Sequence, residues 1–122
     1  MAVTDRAFDE AMARWNLLRA QLKQATAAKA HTDVVRICDD ILAFSAANPA
    51  ISVVDWLFDK RAAKALADQG CFSDARARSE RAIVGCKRHQ ATVRLAKPDE
   101  FVADLASMET LHDRWRKKAG GS

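Results

Sequence analysis

The chain has 122 residues, 49% of them hydrophobic and 30% charged, with a net charge of +4. That length fits one domain with one core, and the balance excludes wholesale disorder. No run nears the ~20 apolar residues of a membrane span, and the start Met1-Ala2-Val3-Thr4-Asp5-Arg6 lacks the basic and apolar regions of a secretory leader, so the expected compartment is the cytoplasm.

Alanine is abundant, glycine and proline are scarce and tyrosine is absent, a profile that favours helices over strands. A first helix is expected after Thr4, which can cap it, with Asp5 in its first turn. Phe8, Met12, Trp15, Leu18, Leu22 and Ala25 step by three or four along one stripe. His31-Thr32-Asp33 reads as a turn with a new N-cap. Val34, Ile37, Cys38, Ile41, Leu42 and Ser45 form the second stripe, and Asn48-Pro49 ends that helix. A third helix is expected to start at Ser52 or just before it, with Val54, Leu57, Phe58, Ala62, Ala65 and Leu66 inward and Trp56 and Ala63 beside them. Gly70 suits its left-handed close. Ser73-Asp74 restarts the chain into a fourth helix with a stripe of small residues, Ala75, Ser79, Ala82, Ile83 and Cys86, which lets a neighbour approach closely. Pro98 and Asp99-Glu100 suit the first turn of a fifth helix. Its stripe is Phe101, Leu105, Met108, His112 and Trp115. No segment alternates with period two, so the expected class is all-α.

Trp15 and Trp56 lie 41 residues apart, and the stretches they open align without a gap. Lys23 then meets Lys64, Asp39 meets Glu80, and Ile41-Leu42 meets Ala82-Ile83. A period of this size marks a helical repeat, in which each unit is one helix pair leaning on the next. The run Ala63 … Gly70-Cys71-Phe72-Ser73-Asp74-Ala75 … Ala82-Ile83 resembles the tetratricopeptide repeat. In that family a small residue, the turn glycine, an aromatic and two alanines occupy the places of Ala63, Gly70, Phe72, Ala75 and Ala82. Leu66, Ser79 and Lys87 depart from its pattern, and the spacing of 41 exceeds the family's period of about 34. In the earlier unit Lys29 stands in the glycine place, His31 in the aromatic place, and Val34 and Ile41 replace the alanines. The resemblance implies a right-handed stack of antiparallel helix hairpins, with units at about 5–47 and 50–90. A capping helix at about 98–118 closes it and a flexible tail covers 119–122, so that 1–118 form a single domain. It also implies a scaffold that holds a peptide or a partner protein.

Little in the sequence points to chemistry. Cys38, Cys71 and Cys86 are an odd number without close spacing, which argues for reduced thiols rather than disulfides. No Cys-x-x-Cys, Gly-rich phosphate loop, Gly-x-Ser-x-Gly or His-Glu-x-x-His occurs. No metal, cofactor or enzymatic activity is therefore expected. Asp39-Asp40 and the i,i+4 pair Asp55/Asp59 read as solubilising surface charge. His31 and His112 read as packing or surface histidines. Trp15 and Trp56 are candidate binding anchors, but their matching registers favour core packing.

Charge is the remaining signal. Arg19 and Lys60, and Lys23 and Lys64, correspond under the shift, giving a basic ladder on the first helices of the two units that suits acidic or carboxylate-ended ligands. From Ala75 to Lys97 seven basic residues face one acid, Glu80. Arg78, Arg81, Arg88 and Arg94 there form the alternative face, one for nucleic acid, although no aromatic is interleaved for base stacking. Two units make a short array, so self-association through the N-terminal end is also an expectation.

Overall fold

The computed structural model describes residues 2–93 and 102–120, and the side chains of 6–91 and 102–120. Five α-helices make up the described residues, with no strand among them: α1 (Ala2–Ala27), α2 (His31–Ala47), α3 (Asp55–Asp68), α4 (Phe72–Val93) and α5 (Val102–Ala119). Each helix packs on the next in chain order. None is long and apolar enough to cross a membrane.

The two hairpin turns are built alike. At the first, Lys29 takes a left-handed φ of 55°, and the amides of Lys29 and Ala30 donate to the carbonyls of Thr26 (3.1 Å) and Ala25 (3.0 Å). At the second, Gly70 takes a φ of 80°, and the amides of Gly70 and Cys71 donate to Ala67 and Leu66, both at 2.9 Å. This is the Schellman pattern, which satisfies the orphan carbonyls at a helix end. Every partner in the second set lies 41 residues after its counterpart in the first. Ala30 and Cys71 then accept the first bonds of α2 and α4, from Val34 and Ala75, both at 2.9 Å.

That economy moves the helix starts. Thr32-Asp33 and Ser73-Asp74 are not caps, because the residue closing one helix already opens the next, so they fall in the first turns of α2 and α4. α1 begins at Ala2, before the expected Thr4. α3 begins at Asp55 rather than near Ser52, and the Ile51 side chain in the connection before it is buried in the core. Asn48 closes α2, its amide side chain donating to the Phe44 carbonyl at 3.0 Å, and the Ser45 hydroxyl donates to Asp55 at 2.7 Å. α4 extends to Val93, and α5 keeps Ala119, which the sequence placed in the tail. Pro98, Asp99, Glu100 and Phe101 lie outside the described residues.

Three apolar clusters form the core. The first joins Leu18, Leu22, Val34, Ile37, Cys38 and Ile41 to Ala62 and Ala65 of α3. Trp15 belongs to it, stacked on Phe44 at 5.9 Å between ring centres and edge-on to Phe58 at 5.8 Å. The second joins Trp56 to Ala82, Cys86 and Met108, and the third joins Ala63 to Ala75 and Trp115. Each hairpin core is thus closed by the helix that follows it. The small stripe of α4 does what its composition implied. A methyl added at Gly85 would stand 2.8 Å from Trp56 Cβ, so α4 reaches α3 at a distance only glycine allows. Phe44, which meets Trp15 in the first hairpin, is the counterpart of Gly85 under the 41-residue shift. Phe8 departs from its stripe's inward role and is 47% exposed.

The charge reading of Asp55/Asp59 fails at Asp59. Asp59 is not surface charge: it is buried, and Arg78 Nε donates to its Oδ1 at 3.0 Å while Arg81 lies 3.4 Å away. Arg78 also donates to Asp39 at 2.7 Å. The counterparts of Asp59 and Arg78 under the shift are Leu18 and Ile37, both buried. An apolar pair in the first hairpin is therefore an ion pair in the second.

Candidate functional site

A cleft of about 590 Å³ lies between the end of α1, the start of α2 and the second half of α3. Val34 and Ala65, both buried, line it from below. Thr26 lines it too, its hydroxyl turned back to the Leu22 carbonyl at 2.7 Å. The charged lining consists of Lys29, Arg61, Lys64, His31 and Asp68. The three permanent cations come from three places: the left-handed turn residue and two positions on α3 one turn apart. The His31 imidazole Nδ1 stands 3.9 Å from Asp68.

The cations of this cleft are unspent and gathered around one concavity. The side chains of Lys29, Arg61 and Lys64 have no ion pair or hydrogen bond among the described residues. Elsewhere Arg14, Lys23, Arg76, Lys87, Arg88 and Arg114 also lack a side-chain partner among the described residues, but the other basic side chains are engaged. Arg36 pairs with Asp33 and Asp40, Lys60 with Asp104, and Arg116 and Lys117 with Asp113. Arg19 lies over the Trp15 ring at 5.6 Å and Lys118 over Phe72 at 4.9 Å. Three like charges held around one concavity raise the local positive potential, which an anionic ligand relieves.

The expected basic ladder comes together only in part: Lys60 and Lys64 line a small pocket against α4 and α5, but the four residues do not share one cleft. Lys64 lines the cleft, but Lys23 stands on the exposed side of α1 outside the lining. Arg19 is occupied by Trp15, and Lys60 turns to the other flank of α3, 3.1 Å from Asp104 of α5. On the alternative face Arg78 is taken up by Asp39 and Asp59, and Arg81 leans on Asp59. Arg88 is exposed and lines a separate groove with Arg81, and Arg94 lies outside the described residues. Trp15 and Trp56 are buried core residues. Sequence reasoning missed Arg61 and gave Lys29 and His31 no binding role. For Lys29 a signal existed: a lysine in a place that sterics reserve for glycine.

Two of the three thiols are sequestered. Burial pushes the Cys38 thiol up to about 11, and burial likewise raises Cys86. Cys71 is the exposed thiol. Burial also raises Asp59, against the opposing pull of Arg81 and Arg78. Among the described residues no three His, Cys, Asp or Glu side chains group as metal ligands would.

Comparison of the chain with protein-family models, with curated proteins and with solved structures found no match.

Proposed function

We propose that the chain is a non-catalytic binding module whose α1–α2–α3 cleft receives an acidic segment of a partner protein. Its architecture is then a right-handed, tetratricopeptide-like stack of two hairpins closed by α5. The observation that carries the functional reading is the trio Lys29, Arg61 and Lys64, unpaired around one concavity, while Lys60 is spent on Asp104 and Arg19 on the Trp15 ring. The architectural reading is supported by the two turns, which repeat the same backbone bonds at a separation of 41 residues. It is supported as well by α3 and α5 each closing the hairpin before it.

The test is fluorescence anisotropy with a labelled, Asp/Glu-rich peptide. Lys64→Glu and Arg61→Glu should each weaken binding about tenfold, or 1.4 kcal/mol. Lys87→Glu, an exposed reversal on α4, should change it far less. Equal losses for cleft and α4 reversals would reduce the effect to net charge and end this reading. Lys23→Glu sits between these outcomes by design: a loss as large as that of Lys64→Glu would extend the site along α1.

A further inference from the structure

We infer that the cleft is proton-gated: one proton taken up by His31 tightens its hold on an acidic segment. The inference rests on the reading just given and concerns its regulation. His31 opens α2 and lines the cleft, and its Nδ1 faces Asp68 Oδ2 at 3.9 Å across the groove between the first turn of α2 and the last turn of α3. Asp68 is the only carboxylate on the lining. With a neutral imidazole, the lining carries three cations and one anion, and that anion repels any incoming carboxylate. A proton on His31 sets a positive charge against Asp68. The repulsion is offset, and the net charge presented to a ligand rises by one.

The surroundings isolate the effect. Facing His31 from the α1–α2 turn is Lys29, and from α3 come Arg61, Lys64 and Asp68. On its own helix Asp33 is the nearest carboxylate, and it lies 3.7 Å from Arg36. Of the side-chain types in this set, histidine alone changes charge between pH 5 and 8. His31 is about a third exposed and Asp68 about half, so a proton reaches the imidazole without any rearrangement of the hairpin. The turn also fixes the geometry. The Lys29 carbonyl accepts the His31 amide at 3.0 Å, and the next contact between the turns is Gln69, donating to Thr32 at 2.8 Å.

The experiment measures affinity for the same Asp/Glu-rich peptide at low salt, at about pH 8 and about pH 6, a range in which ordinary carboxylates keep their charge. The wild type should bind roughly three- to fivefold tighter at the lower pH, the scale of one added charge partly screened by water. His31→Gln should bind equally at both values. Asp68→Asn should bind more tightly than wild type at about pH 8 and still respond to acid, because His31 remains. His112→Gln, which alters the histidine 3.4 Å from Glu80 on the far side of α4, should follow the wild type. Wild-type binding that Lys64→Glu abolishes but that is flat with pH would overturn the gate and leave the cleft's function standing. So would a pH response that survives His31→Gln. No binding at either pH would remove the gate and the proposed function together.

Discussion

Asp59 and Arg78 concentrate the chain's chemical tension in one contact. The Asp59 side chain is 8% exposed, the Arg78 side chain 12%. Burying charges costs several kcal/mol per ion, and pairing returns that only in good geometry. Here Arg78 is shared with Asp39, and its Nη2 is buried without a hydrogen-bond partner. Asp59→Leu alone, which strands Arg78 with Asp39, should cost about 3 kcal/mol. Asp59→Leu with Arg78→Ile restores the Leu18/Ile37 pattern of the first hairpin and should fall within about 1 kcal/mol of wild type or exceed it. Urea denaturation of the four proteins in this cycle checks both. The pH dependence has a fixed sign. Because Asp59 is raised in the fold, the folded chain holds its proton more firmly than the unfolded chain does. Its contribution is full below the ordinary value of 3.8 and is lost as the pH rises through the raised one. The double variant should therefore gain most over wild type near neutral pH, and the gain should shrink toward acid.

At the scale of the helices and turns, Lys29 sets folding against binding. A lysine in the left-handed region carries a steric cost that Gly70, in the matching turn, avoids. Lys29→Gly should stabilise the chain by about 1 kcal/mol, less what glycine adds to unfolded-state freedom. It should weaken acidic-peptide binding in the same preparation. Urea midpoints and anisotropy titrations read the two effects separately. Much of this level was legible in the sequence. Glycine at 70, the stripe of α4, the stripes of α1 and α2 apart from Phe8 and Ser45, and the end of α2 at Asn48-Pro49 follow from periodicity and backbone sterics, and the structure agrees. What was not legible depends on neighbours. Asp59 reads as one half of an i,i+4 surface pair with Asp55 until α4 brings Arg78 against it. Ser45 was assigned inward, yet Phe44 fills the core because Trp15 meets it across the hairpin. Arg61 and Lys60 are adjacent in sequence but serve opposite flanks of α3, a division that packing on both sides imposes.

For the molecule as a whole, the question is how an array of two hairpins ends. α3 meets the first hairpin through Phe58, Ala62 and Ala65. The same positions on α1, 41 residues earlier, are Leu17, Gln21 and Gln24, all exposed. Two amides stand where two buried alanines would stack, and repeat arrays stay soluble through polar outer faces of this kind. This revises the expectation of self-association through the N-terminal end. The wild type should remain monomeric in concentrated solution by light scattering. Gln21→Ala with Gln24→Ala, which joins Leu17 into an apolar strip, should raise its apparent mass with concentration. At the opposite flank α5 is anchored by Met108 and Trp115 in the core, by Lys60 to Asp104 and by the His112–Glu80 contact.

The joints at Ala30 and Cys71 have a mechanical consequence. Each residue ends one helix and begins its successor, so these elbows hold no slack. One inserted amino acid there would swing the following rod by about 100° and turn its greasy side to water. The two halves of each hairpin must then travel as a solid piece.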